Sequence, residues 1–149
     1  MTPQQTLDAM IDRFTPAVAA DARAALAMVA ARLPGATRLV YDNYNALAIA
    51  FAPGDRSSQA ICSVALYPRW VSLFLVNGPA LPDPHALLAG GGGTMRHIRL
   101  NPALIEDARV AALLDAAAAS VAVPIDPAAA PRLLIKSVSA KQRARRPAA

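Results

Sequence analysis

Residues 37–76, TRLVYDNYNALAIAFAPGDRSSQAICSVALYPRWVSLFLV, decide the fold and read as two consecutive β-hairpins. Segments 37–42, 46–52, 60–67 and 70–76 alternate or run apolar, as strands do. Asn43-Tyr44-Asn45 links the first pair, because asparagine tolerates turn conformations. Tyr67-Pro68-Arg69-Trp70 closes the second, with Pro68 suited to the second position of a turn. Between the hairpins, Pro53-Gly54-Asp55-Arg56-Ser57-Ser58 is the clearest loop in the chain. All three tyrosines and the only tryptophan lie in this stretch.

Working outward, Thr6 or Pro3 can open a short helix with Leu7, Met10, Ile11 and Phe14 on one stripe. Thr15-Pro16 starts a second, lined by Val18, Ala22, Ala25, Leu26, Val29 and Leu33, and Leu33-Pro34-Gly35 stops it. Beyond the hairpins, Asn77 to Gly93 is mostly loop. Met95 to Leu100 reads as a fifth strand, with Met95, His97 and Arg99 opposite Ile98 and Leu100. Asn101-Pro102 initiates a last helix with Glu106 and Asp107 in its first turn. Its stripe is Val110, Leu113, Leu114, Ala117 and Val121. The order helix, helix, meander, helix predicts an α+β two-layer domain over residues 1–123. An antiparallel five-stranded sheet is covered on one face by the N-terminal and C-terminal helices. Loops between successive strands are too short for parallel crossovers. Residues 124–149 read as a Pro/Ala linker, an edge strand at 133–138 and a disordered basic tail.

Charge is unevenly placed. Of fifteen Lys and Arg, six follow residue 131 with no acid among them, leaving nine against ten acids in the first 131 residues. The pI of 10.1 therefore belongs to the tail and not to the domain. The tail lacks the interleaved aromatic residues that stack on single-stranded bases, so a solvating end is preferred to nucleic-acid contact through it. No apolar run is long enough to span a bilayer and no signal-peptide pattern opens the chain, so no membrane partner is expected. The lone Cys62 excludes an internal disulfide framework, which points to a reducing cytoplasm.

Tyr41, Asn43, Tyr44, Asn45, Tyr67, Arg69 and Trp70 form the candidate ligand site, provided the two turns share one end of the sheet. Aromatic walls with amide and guanidinium groups between them suit a small-molecule pocket. The competing structural role has the aromatics packing the rim while the asparagines satisfy the turn backbone. Arg96, His97 and Arg99 make a second candidate, for an anion, against the ordinary use of charges to protect a sheet edge. Gly90 to Gly93 lacks the Lys-Ser/Thr of a phosphate loop and precedes a strand, so it reads as a connection. His85 and His97 have no partners at metal-ligand spacing. No catalytic string is present, and the expectation is a non-enzymatic domain that binds a small molecule or a protein. Self-association through the uncovered sheet face stays open.

Several strings resemble the DUF1801, or YdhG-like, family of small bacterial proteins. They are Arg38-Leu39-Val40-Tyr41, Val64-Ala65-Leu66-Tyr67-Pro68, the glycines at 90–93 followed by Thr94 to Leu100, and the fragments YDNYNAL, ALYPRW and IKSVSAKQR. The resemblance spans residues 5–121 and implies a frataxin-like shape with no settled activity. An iron-chaperone role proposed for a member would carry over to carboxylates such as Asp8 and Asp12, which lie four apart on the first helix, with Asp21 near them.

Overall fold

The computed structural model describes residues 1–148. Its first helix, α1 (Pro3–Ile11), begins with a capping box: the Thr2 hydroxyl accepts from the Gln5 N–H, and Gln5 Oε1 accepts from the Thr2 N–H. Helix α2 (Pro16–Arg32) starts one residue after Thr15, whose hydroxyl accepts from the Val18 N–H, with Pro16 pre-set for the first turn. Buried Ala19, Ala22 and Ala25 give α2 a flat flank that lets it lie close over the sheet.

The strands are β1 (Thr37–Asp42), β2 (Leu47–Ala52), β3 (Cys62–Leu66), β4 (Val71–Leu75), β5 (Arg96–Leu100) and β6 (Arg132–Val138). They form one sheet in the order β5-β4-β3-β2-β1-β6. The five-stranded antiparallel meander is present, and the α+β class stands. Among the described residues the sheet has six strands, the sixth being the edge strand expected at 133–138, and it is mixed because β6 pairs parallel with β1. Short loops exclude parallel pairing only between strands that follow one another directly. The β1–β6 connection spans most of the chain and needs no tight turn.

A pleated strand sends alternate side chains to opposite faces. Val40, Ile49, Val64 and Leu73 face the helices, and this inner face holds the main core with Leu7, Ile11, Phe14 and Leu114. Leu133 and Ile135 of β6 extend that floor beneath α1. The outer face carries Leu39, Tyr41, Ala50 and Leu134, and no helix among the described residues covers it. A small cluster there is closed by Ala60, from the loop after β2. Cys62 points inward and is fully buried, so burial pushes its thiol far up and keeps it from ionising.

The last helical segment departs from expectation. Asn101 caps only one turn, α3 (Pro102–Ile105), and the chain breaks before α4 (Ala108–Ala119). Asp107 is the N-cap of α4, accepting from the Arg109 N–H and holding its guanidinium at 2.6 Å. Hydrogen bonding from the Arg109 side chain, then from its backbone, lowers the Asp107 pKa from 3.8 to about 2. A depressed carboxylate pKa contributes stability above its unfolded value and loses it as pH falls through the folded value. Acid titration of Asp107→Asn should therefore be flatter than wild type between about pH 4 and pH 2. Identical slopes would refute this role for the cap.

Candidate functional site

Registers place the two hairpin turns side by side. Leu47 pairs with Leu66, so residues 43–46 and 67–70 leave the sheet at the same end. Asn43 N–H donates to the Ala46 carbonyl, and Tyr67 N–H donates to that of Trp70, which closes two tight two-residue turns. The rings of Tyr67 and Trp70 then stack on the outer face, centroids 5.1 Å apart and 25° between planes. From β5, the Arg99 guanidinium lies 3.9 Å over the Trp70 ring. A cation over indole is favourable, so the indole is held from two neighbouring elements.

The region expected to be a disordered tail completes this corner. After β6 the chain crosses the turns: Ser139 N–H donates to the Asp42 carbonyl and Arg143 N–H to that of Tyr44. Gln142 Nε2 adds a bond to the Asp42 carbonyl, and Arg146 donates to the Arg13 and Asp12 carbonyls. Arg145 is buried, with Nη2 at 2.8 Å from Asp42 Oδ1 and 2.6 Å from the Asn43 carbonyl. The expectation of a solvated end fails because a buried carboxylate, Asp42, supplies the partner that a charge-rich segment needs to order. Arg143 is thereby set with its guanidinium 5.5 Å from the centre of the Tyr44 ring.

These elements enclose an open cleft of about 790 Å³ lined by Asn45, Tyr67, Pro68, Trp70, Arg143 and Ala144. Of the seven residues predicted for the pocket, Asn45, Tyr67 and Trp70 line it. Tyr44 stands exposed beside Arg143, while Asn43 contributes its carbonyl to Arg145. Tyr41 is a half-buried outer-face residue of β1 whose hydroxyl is buried without a hydrogen-bond partner. Arg69 projects from the turn and is exposed. Arg143 and Ala144 were missed. Contacts more than 70 residues from the turns they meet leave no periodic mark in the chain.

The second candidate set is divided by the pleat. His97 and Arg99 face outward, with His97 against Phe74 at 5.1 Å, but Arg96 faces the other way. Its guanidinium donates to the Gly92 and Met95 carbonyls and ties down the glycine connection. The carboxylates considered for iron do not fit a metal site. Asp12 is paired with Arg23 at 2.8 Å and Asp8 accepts from Gln4. Among the described residues no group of three or more His, Cys, Asp or Glu is placed to hold a metal ion. His85 lies apart, beside an apolar groove of about 360 Å³ between the 82–87 loop and α4.

Among the described residues no helix is long and apolar enough to cross a membrane. No family model, curated protein or solved structure matches the chain. The fold and site together define an α+β domain with an aromatic-arginine cleft at one end of its sheet.

Proposed function

We propose that this protein is a non-enzymatic binding domain whose ligand sits in the cleft between the two hairpin turns. The observation that carries this is the convergence there of Tyr67 and Trp70 with the Arg143 side chain and the Asn45 amide. Stacked rings offer apolar area in a fixed orientation, an arginine offers charge-assisted donors, and an amide offers both donor and acceptor. The matching ligand is planar and carries a carboxylate or phosphate. Burial pushes the Tyr67 phenol up, so it stays protonated at neutral pH and serves as a donor. The lining holds no carboxylate, histidine or thiol, which suits holding a ligand better than moving protons.

Trp70 is the only tryptophan and reports directly on occupancy. Titration with a series of aromatic carboxylates and mononucleotides should quench or shift its emission for at least one compound. Arg143→Ala should weaken that compound about tenfold, the loss expected for one hydrogen bond to a charged group. If no compound in the series moves Trp70 emission in the wild-type protein, the cleft is not a small-ligand site.

A further inference from the structure

We infer that the helix-free outer face of the sheet binds single-stranded nucleic acid. Alternation along the strands puts Tyr67, Trp70 and Phe74 on this face next to His97 and Arg99, all of them half-buried or exposed. Beside them on the same face lie the small residues Ala48, half-buried, and Ala50 and Ala65, buried. Basic side chains stand at both edges. Arg99 is exposed on β5, while Arg132 and Lys136 are exposed on β6, with Arg69 at the neighbouring turn.

The distribution of charge selects the partner. Asp42 is the only acid in any of the six strands, and it points inward to Arg13 and Arg145. Asp8, Asp12, Asp21, Glu106, Asp107 and Asp115 all belong to the helices or their caps. Arg23, Arg32 and Arg109, in that layer, each pair with a carboxylate. Among the described residues Arg69, Arg99, Arg132 and Lys136 have no such pair, and Lys136 reaches only the Asp55 carbonyl. A second copy docked face to face would oppose four unpaired cations with one neighbouring exposed acid, Asp55 on the loop after β2, to answer them, and like-charge contacts are costly. A polyanion answers them directly.

Aromatic rings among arginines on an open sheet give bases something to stack on while phosphates meet the basic edges. Six strands at about 4.8 Å spacing make a sheet about 24 Å wide, of which the part over Leu39, Ala50 and Ala52 is closed by Tyr41, Ala60 and Leu134. Such platforms serve single strands, because in a duplex the base faces are already stacked on one another. The proposal does not rest on a small-molecule ligand in the cleft, since Phe74, His97, Arg132 and Lys136 lie outside its lining.

Fluorescence anisotropy of the full chain with a labelled oligothymidine tests this, with the matching duplex as competitor. Binding should favour the single strand and fall steeply with salt. The exposed-charge variant Arg132→Gln/Lys136→Gln, which disturbs no core residue, should lower the log–log salt slope by about 1.4, from two phosphates at about 0.7 each. Phe74→Ala should weaken binding about tenfold through lost stacking. Arg23→Gln, which removes a charge from the helix layer on the other side of the sheet, should leave it unchanged. Absence of binding at low salt, or equal binding of duplex with no effect of the edge variant, overturns the proposal. So does a stable dimer that the oligonucleotide fails to displace, which would assign the face to a second copy of this chain.

Discussion

Arg145→Met should destabilise the fold by about 3–5 kcal/mol in urea denaturation, among the largest single-site losses available in this chain. The reason is what the substitution leaves behind. Asp42 is 3% exposed, and its closest cation is Arg145 at 2.8 Å. Arg13 approaches the other oxygen only at 3.8 Å, from a side chain that is 49% exposed. Without Arg145 the carboxylate keeps its desolvation penalty and loses its main compensation.

The intact pair is not expected to stabilise the fold by that much. Arg145 Nε and Nη1 are buried without partners among the described residues, so the ion pair carries an unpaid cost of its own. The double variant Asp42→Leu/Arg145→Met should therefore recover most of the loss, as apolar replacements of buried ion pairs commonly do. A double-mutant cycle reads the coupling directly. A loss below about 1 kcal/mol in the single variant would mean that the C-terminal crossing is not anchored here. The same variant should also weaken any ligand of the cleft, since Arg143 is positioned by the segment that Arg145 holds.

Gly35→Ala should cost at least about 2 kcal/mol and loosen β6 selectively. Gly35 sits at φ +83°, where a side chain is strained whatever the space around it. There is also no space: an added Cβ would lie 2.0 Å from the Asp126 carbonyl oxygen, in the segment that carries the chain from α4 to β6. Backbone cannot rotate aside as a side-chain tip can, so the 126–127 segment must shift. Hydrogen exchange should then show β6 amides opening ahead of those in β2 and β3. Gly54→Ala is the control. Its Cβ meets nothing within 4 Å, and the change should be neutral or stabilising by about 0.4–1 kcal/mol. Equal losses at the two sites would show that local propensity, and not the contact with Asp126, sets the effect.

Local chemistry made much of the fold legible. Thr15-Pro16 and Asn101-Pro102 mark helix starts because a side-chain acceptor precedes a residue that needs no amide donor. Residues 37–42 match β1 residue for residue, and Pro68 marks its turn by its fixed backbone angle. Period-two alternation placed His97 and Arg99 together on the face opposite Ile98. The same rule, carried one residue back, separates Arg96 from them. The break between Ile105 and Ala108 was not legible, because Asp107 satisfies both the first turn of one helix and the cap of the next.

Half of the cleft could be read from the chain for the same reason. Tyr67 and Trp70 are three residues apart across a tight turn, and the short loops force Asn45 to that end of the sheet. These are near-neighbour constraints, and spacing along the chain encodes them. The sequence alone determined the starts of the helices at Pro16 and Pro102, the meander and the aromatic corner. Tertiary structure alone decided that residues 139–148 fold onto the domain, that the edge strand expected at 133–138 runs parallel to β1, and that Arg143 lines the cleft. The last of these rests on one buried carboxylate meeting one arginine 103 residues later. Burial makes breaking such a pair costly, and no local pattern announces it.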